Sequence, residues 1–96
     1  MNTYAEIMRH KDSIRRIVAL HKGHNPRLYG SVAKGQQTRS SDVDLLVDAL
    51  PGATMLDIVH MEQQLQRELG LTFEVNTLAG LPRQWRDEVL RQAVAL

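Results

Sequence analysis

The apolar residues follow two different periods along the chain, and the period changes near a few glycine and proline positions. In the first twenty residues, apolar side chains recur every three or four positions, which is typical of an amphipathic helix. Thr3 and Glu6 have the spacing of a capping box, and Gly23 and Pro26 are helix-stop signals. The pattern predicts one helix of about five turns. Its basic residues are expected to form a solvated face rather than an anion site.

Shorter apolar runs predict strands. One leads through Leu28 and Tyr29 into Gly30, and another spans residues 43–47. In the segment LTFEVNT, residues 71–77, apolar and polar residues alternate, which puts Phe73 on one face and Glu74 on the other. The sequence therefore has the strand content of a small sheet.

Two further amphipathic patterns predict helices that pack on this sheet. The first begins with the capping pair Thr54 and Asp57 and ends at Gly70. Its expected packing residues are Met55, Ile58, Val59, Leu65 and Leu69. The second follows Pro82 and has apolar residues at near-helical spacing, which are Leu81, Trp85, Val89 and Ala93. Trp85, the only tryptophan, is expected in the core rather than at an interface.

Composition narrows the class of protein. A chain of 96 residues with 43% hydrophobic and 24% charged residues predicts one globular domain, residues 1–96, with no room for a separate acceptor-binding domain. The net charge is +1 and only four of the twelve Lys and Arg residues lie after position 48, so nucleic acid is an unlikely partner. The chain has no cysteine and no long apolar segment, which favours a cytoplasmic protein without a membrane span.

The segment GSVAKG, residues 30–35, is the first candidate binding site. A strand followed by a glycine turn and a helix start points unpaired amides at whatever lies ahead, which suits a phosphate group. Gly30 would let the backbone approach the ligand, and the Ser31 hydroxyl would donate to a phosphate oxygen. Taken alone, a glycine–serine step is usually only a turn.

The second candidate is SDVDLLV, residues 41–47. On a strand, Asp42 and Asp44 would share a face with Cα atoms about 6.6 Å apart, and carboxylates so placed suit a pair of magnesium ions. The alternative is that Asp42 caps a turn and Asp44 is solvated. Asp48 lies about 13 Å further along, too far for the same ions, and is expected at the strand end. The four histidines show no ligand spacing and are expected at the surface or at helix ends.

The two candidates together are more specific than either alone, and here the chain resembles the minimal nucleotidyltransferases of the DNA polymerase β superfamily. Their signature is a glycine–serine step followed at this interval by Asp-x-Asp. The resemblance extends to a strand with a third acid and a Leu-Pro turn before a last helix. It implies an α/β palm, a small mixed β-sheet with helices mainly on one face and the metal site on the open side.

The resemblance also implies residue roles. Gly30, Ser31, Lys34 and Ser41 would bind the nucleotide, and Asp42, Asp44 and Glu74 would be the catalytic, metal-binding carboxylates. The third acid decides whether such a site is active. The family usually has Asp where this chain has Glu74, and the longer side chain could displace a general base or weaken metal binding. Without the family pattern, Glu74 would be a solvated acid on a half-exposed strand.

Small members of this family that lack a substrate domain typically pair with a HEPN ribonuclease toxin. The resemblance therefore implies an antitoxin that transfers AMP from ATP to a toxin tyrosine, with two Mg²⁺ ions, in a hetero-oligomer. Two alternatives remain open. The chain could neutralise the toxin by binding alone, or it could be a small-molecule nucleotidyltransferase of the antibiotic-resistance kind, which at this length would need to dimerise to form an acceptor pocket.

Overall fold

The computed structural model describes residues 3–35 and 42–96. In these two ranges the chain forms five helices and four strands. The helices are α1 (Thr3–Arg9), α2 (Lys11–Leu20), α3 (Gly30–Ala33), α4 (Met55–Leu69) and α5 (Arg83–Gln92). The strands are β1 (Gly23–Tyr29), β2 (Val43–Ala49), β3 (Phe73–Thr77) and β4 (Val94–Ala95). None of the helices in this part of the chain is long and apolar enough to span a membrane.

The strands form a mixed sheet in the order β3-β2-β1-β4. β1 runs antiparallel to both β2 and β4, whereas β2 and β3 are parallel. A parallel pair needs a crossover connection, and α4 provides it. The expected α/β class with a small mixed sheet is confirmed.

The two faces of the sheet are covered unequally. Alternate residues of each strand point to one face, where they join the main core with the buried residues of α1, α2 and α4. On the other face, Val89 of α5 packs with Tyr29 and Leu46 in a much smaller cluster. This leaves part of the second face uncovered, as expected, although α5 occupies one side of it.

The first helix differs from its prediction. The chain forms α1 and α2 with His10 between them, instead of one continuous helix. The His10 amide donates to the Ile7 carbonyl at 3.0 Å, three residues back, so the backbone tightens into a turn before α2 begins. This bend lets α1 reach α3, while α2 packs on β1 and α4. No glycine or proline marks the bend in the sequence.

The predictions for α4 and α5 were partly wrong. α4 has the predicted capping box between Thr54 and Asp57 and ends at the predicted Gly70, in a left-handed conformation. Its core-facing residues are Ile58, Met61 and Leu65, whereas Met55 and Val59 are 75% and 39% exposed, because they lie on the flank of that stripe.

Trp85 is 57% exposed and is not the core residue that its spacing predicted. Since α5 buries Val89 and lies over only part of the second face, it has too little contact area to cover the indole ring.

Candidate functional site

Three polar side chains form a row across the partly open face of the sheet. Tyr29 of β1 lies opposite Asp44 of β2, and Asp44 lies opposite Glu74 of β3. All three therefore point to the same face, since directly opposed residues in a sheet share one. Glu74 thus lies directly beside Asp44 on the neighbouring strand.

Among the described residues, Asp44 is the centre of a negative field. Burial raises the pKa of its carboxyl, and the charges of Glu74 and Asp42 raise it further, to about 6 from an ordinary 3.8. Asp42 lies immediately before β2 and is exposed, as is Glu74. The structure thus brings together the three carboxylates singled out in the sequence, with one half-buried and two facing solvent.

Gly30 packs directly on the Asp44 carboxylate. Gly30 has a φ of 72°, and a Cβ atom placed on it would lie 2.2 Å from Asp44 Oδ2. A side chain there would have to displace the Asp44 carboxylate, and the left-handed backbone itself favours glycine. The glycine is required at this point because the turn runs over a carboxylate.

The amide of Gly30 is already hydrogen-bonded within the protein. It donates to Oε1 of Gln92, the last residue of α5, at 2.9 Å. Sequence reasoning missed Gln92, because the two residues are 62 positions apart and no local pattern links them. The amides of the following residues in α3 have no acceptor within the helix, as in any first helical turn.

Asn76 was also missed. It lies two residues after Glu74 on the same face, and its Nδ2 donates to the Tyr29 hydroxyl at 2.9 Å. Burial raises the pKa of Tyr29, the hydrogen bond from Asn76 opposes this, and the charges of Asp44 and Glu74 add to the rise. The alternation in LTFEVNT places Asn76 beside Glu74, so the signal was present in the sequence.

Two of the three remaining predicted nucleotide-binding residues lie in the described part of the chain. Ser31 is half-buried in α3, and Lys34 is exposed at its C-terminal cap. The pKa of Glu88 in α5 is lowered chiefly by Arg91, with a small contribution from Lys34. Ser41 lies outside the described residues.

Asp48 lies apart from the row, as expected. Its Oδ1 is 3.1 Å from Nη1 of Arg27, and its Oδ2 accepts from Asn25 Nδ2 at 3.1 Å. These hydrogen bonds lower the pKa of Asp48 even though burial alone would raise it. The pKa values of Asp44 and Asp48, two acids of one strand, are therefore shifted in opposite directions.

The donor set at Asp44 suits a hard divalent cation, because all three groups are carboxylates and their mutual repulsion would be relieved by positive charge. As they stand, however, no three acidic or histidine side chains within residues 3–35 and 42–96 form a preorganised metal-binding group. His10 and His21, which cap the two ends of α2, occupy the helix-end positions expected of them.

The chain matches the family described as Polymerase beta, Nucleotidyltransferase over residues 4–96. A relative from Methanocaldococcus jannaschii, assigned as a protein adenylyltransferase, is 31% identical over 84 residues, which is 88% of this chain and 90% of that protein.

Two solved structures share the fold. One, assigned as a minimal nucleotidyltransferase, has a TM-score of 0.87 and 31% identity, and the match covers 97% of this chain and 95% of that one. The other is a chain in a crystal structure of a toxin–antitoxin with AMP-PNP, with a TM-score of 0.75, 22% identity, and coverage of 88% and 70%. Since the family match spans nearly the whole chain, this protein belongs to the polymerase β nucleotidyltransferase family.

Proposed function

We propose that this chain is an Mg²⁺-dependent protein adenylyltransferase, and that it transfers AMP from ATP to a tyrosine hydroxyl of a HEPN ribonuclease toxin and so acts as its antitoxin. The observation that carries the proposal is the half-buried Asp44, which lies under the Gly30 turn and beside two further carboxylates. Family membership and the adenylyltransferase relative support the reaction. The toxin–antitoxin structure of the same fold supports the partner.

In this proposal, Asp42, Asp44 and Glu74 would hold two Mg²⁺ ions, which would supply positive charge to the triphosphate and to the departing pyrophosphate. Gly30 leaves space for the chain to pass over Asp44. The phosphates are bound by the Ser31 hydroxyl, by Lys34 and by Ser41. Because the Gly30 amide already donates to Gln92, the role of Gly30 is to provide space, and the phosphate donors are the residues that follow it.

The transfer is an in-line displacement. The tyrosine oxygen attacks the α-phosphorus of ATP, the bond from that phosphorus to the β-phosphate oxygen breaks, and pyrophosphate leaves. Glu74 is the proposed acceptor of the proton from the attacking hydroxyl, because it lies beside Asp44 and its carboxylate is exposed. The products are an AMP-modified tyrosine and pyrophosphate.

The partner would supply the acceptor. α5, which borders the site, carries two exposed apolar side chains, Trp85 and Leu90, at 57% and 47% exposure. Exposed aromatic residues of this kind are enriched at protein interfaces.

The proposed substrates, ATP and a ribonuclease, and the absence of cysteine support a cytoplasmic location.

Co-expression with the partner, followed by intact mass of the partner, tests the proposal. The wild-type chain should add the mass of one or more AMP groups, and Asp42→Asn or Asp44→Asn should abolish the gain. Asp48→Asn is the matched control, because Asp48 lies on the same strand but is paired with Arg27 away from the row, and it should retain activity.

Two other outcomes would contradict the proposal. A partner that is neutralised but unmodified by the wild-type chain would show an antitoxin that acts by binding alone, for which the Glu74 departure is the main support. Failure to form a heteromeric complex, together with AMP transfer to a small molecule by a homodimer, would show an antibiotic-type enzyme.

A further inference from the structure

A long-range hydrogen bond links α5 to the Gly30 turn. Oε1 of Gln92 accepts the Gly30 amide at 2.9 Å in a partly buried position. Gln92 ends α5, and Val89, three residues earlier, is anchored in the cluster with Tyr29 and Leu46. The carboxamide is therefore presented by a helix that is itself fixed on the sheet.

The Gly30 turn needs an external restraint. Glycine has more backbone freedom than any other residue, and Gly30 must hold a φ of 72° directly over the Asp44 carboxylate. Its amide is the first of α3 and has no acceptor within that helix. In the described structure, the restraint on that amide is the Gln92 side chain.

We propose that Gln92 is a positioning residue of the nucleotide site. Its carboxamide holds the turn of Gly30 and Ser31 in one conformation over Asp44, so that the phosphate-binding groups are ordered before the nucleotide arrives. This inference rests on the proposed nucleotide-binding function and deepens it. Preorganisation of this kind acts on nucleotide affinity, because ordering of the turn no longer has to accompany binding.

Gln92→Met tests the inference, because methionine has a similar length and shape but no strong acceptor. The same change at Gln84, an exposed residue of the same helix, is the matched control. Binding of α,β-methylene-ATP with Mg²⁺ is measured by calorimetry, since that analogue cannot release AMP. Gln92→Met should weaken binding roughly 3- to 10-fold, as expected for the loss of one hydrogen bond, and Gln84→Met should leave it unchanged.

A second readout follows the turn itself. Amide exchange at Gly30, read by NMR without nucleotide, should accelerate in Gln92→Met. It should also accelerate in Gln92→Ala, which removes the acceptor without adding charge and remains informative if the methionine variant does not fold.

Three results would overturn the inference. The first is nucleotide affinity in Gln92→Met equal to that of the wild type, even if the melting temperature falls, because that is the outcome of a purely structural role. The second is amide exchange at Gly30 that stays at the wild-type rate in both Gln92→Met and Gln92→Ala. The third is a wild-type chain that binds no nucleotide, which also overturns the proposed function, whereas the first two leave that function standing.

Discussion

Gly30 lies against Asp44 so closely that even a methyl group on its Cα would be 2.2 Å from Asp44 Oδ2. Gly35 has nearly the same backbone conformation, with a φ of 70°, but no atom of the described residues lies within 4 Å of a Cβ placed there. Comparing substitutions at Gly30 and Gly35 therefore separates the steric effect of Asp44 from the cost of the left-handed conformation.

We therefore expect Gly30→Ala to destabilise the fold more than Gly35→Ala. The latter should cost only about 1 kcal/mol, the usual penalty for a left-handed non-glycine residue. Gly30→Ala must also displace the Asp44 side chain and should therefore cost about 1–3 kcal/mol more. Urea denaturation measures both. In an Asp44→Ala background the difference should vanish, and an equal cost in the wild-type background would show that the contact has no energetic consequence.

Asp44→Asn should stabilise the metal-free protein at neutral pH. Because the folded-state pKa of Asp44 is raised to about 6, its ionisation destabilises the fold. This destabilisation is absent below about pH 4, grows between about pH 4 and pH 6, and is complete above pH 6. Solvent screening of a half-buried group reduces the full linkage value, so the expected gain is about 1–2 kcal/mol at pH 8. Chemical denaturation in EDTA at pH 8, 6 and 4.5 measures it.

Asp48→Asn is the control with the opposite sign. The folded-state pKa of Asp48 is lowered, so its ionised form adds stability above the unfolded pKa, and that stability is lost as pH falls through the folded value. This variant should be less stable than wild type at pH 8. An equal gain in the free energy of unfolding in Asp44→Asn and Asp48→Asn would refute the electrostatic difference between the two ends of β2.

Magnesium should raise the melting temperature of the wild-type chain at pH 7.5. The cation relieves the repulsion at Asp44 and binds only the folded state. Asp42→Asn and Asp44→Asn should lose most of this shift, and EDTA should reverse it, whereas Asp48→Asn should keep it. A shift of equal size in all four proteins would indicate nonspecific binding of the ion.

Trp85→Ala should change stability little, by less than about 1 kcal/mol, because the indole is already 57% exposed. Val89→Ala, one turn later on the same helix, should cost about 1–2 kcal/mol, because Val89 is 6% exposed and packs on Tyr29 and Leu46. Thermal unfolding distinguishes them. If the partner uses α5, Trp85→Ala should also weaken the complex, and intact affinity would exclude the indole from that interface.

The sequence predicted what depends on local spacing. The alternation in LTFEVNT put Glu74 on the polar face of its strand, and the capping box of Thr54 and Asp57 is a four-residue pattern. The pairing of β3 with β2, which puts Glu74 opposite Asp44, comes from the structure. Distant contacts were missed for the same reason. Gln92 reaches Gly30 only through the packing of α5, and the exposure of Trp85 depends on how much of the sheet that helix covers.

The parallel register of β2 and β3 has a consequence for the order of folding. Asp44 and Glu74 are thirty positions apart in the chain and meet only when the crossover through α4 is closed. Non-local pairings of this kind tend to form late, after local turns and helices. We therefore expect the repulsion between the two carboxylates to arise only when β3 docks on β2. In kinetic terms, the acids should raise the unfolding rate of the finished domain far more than they slow its folding.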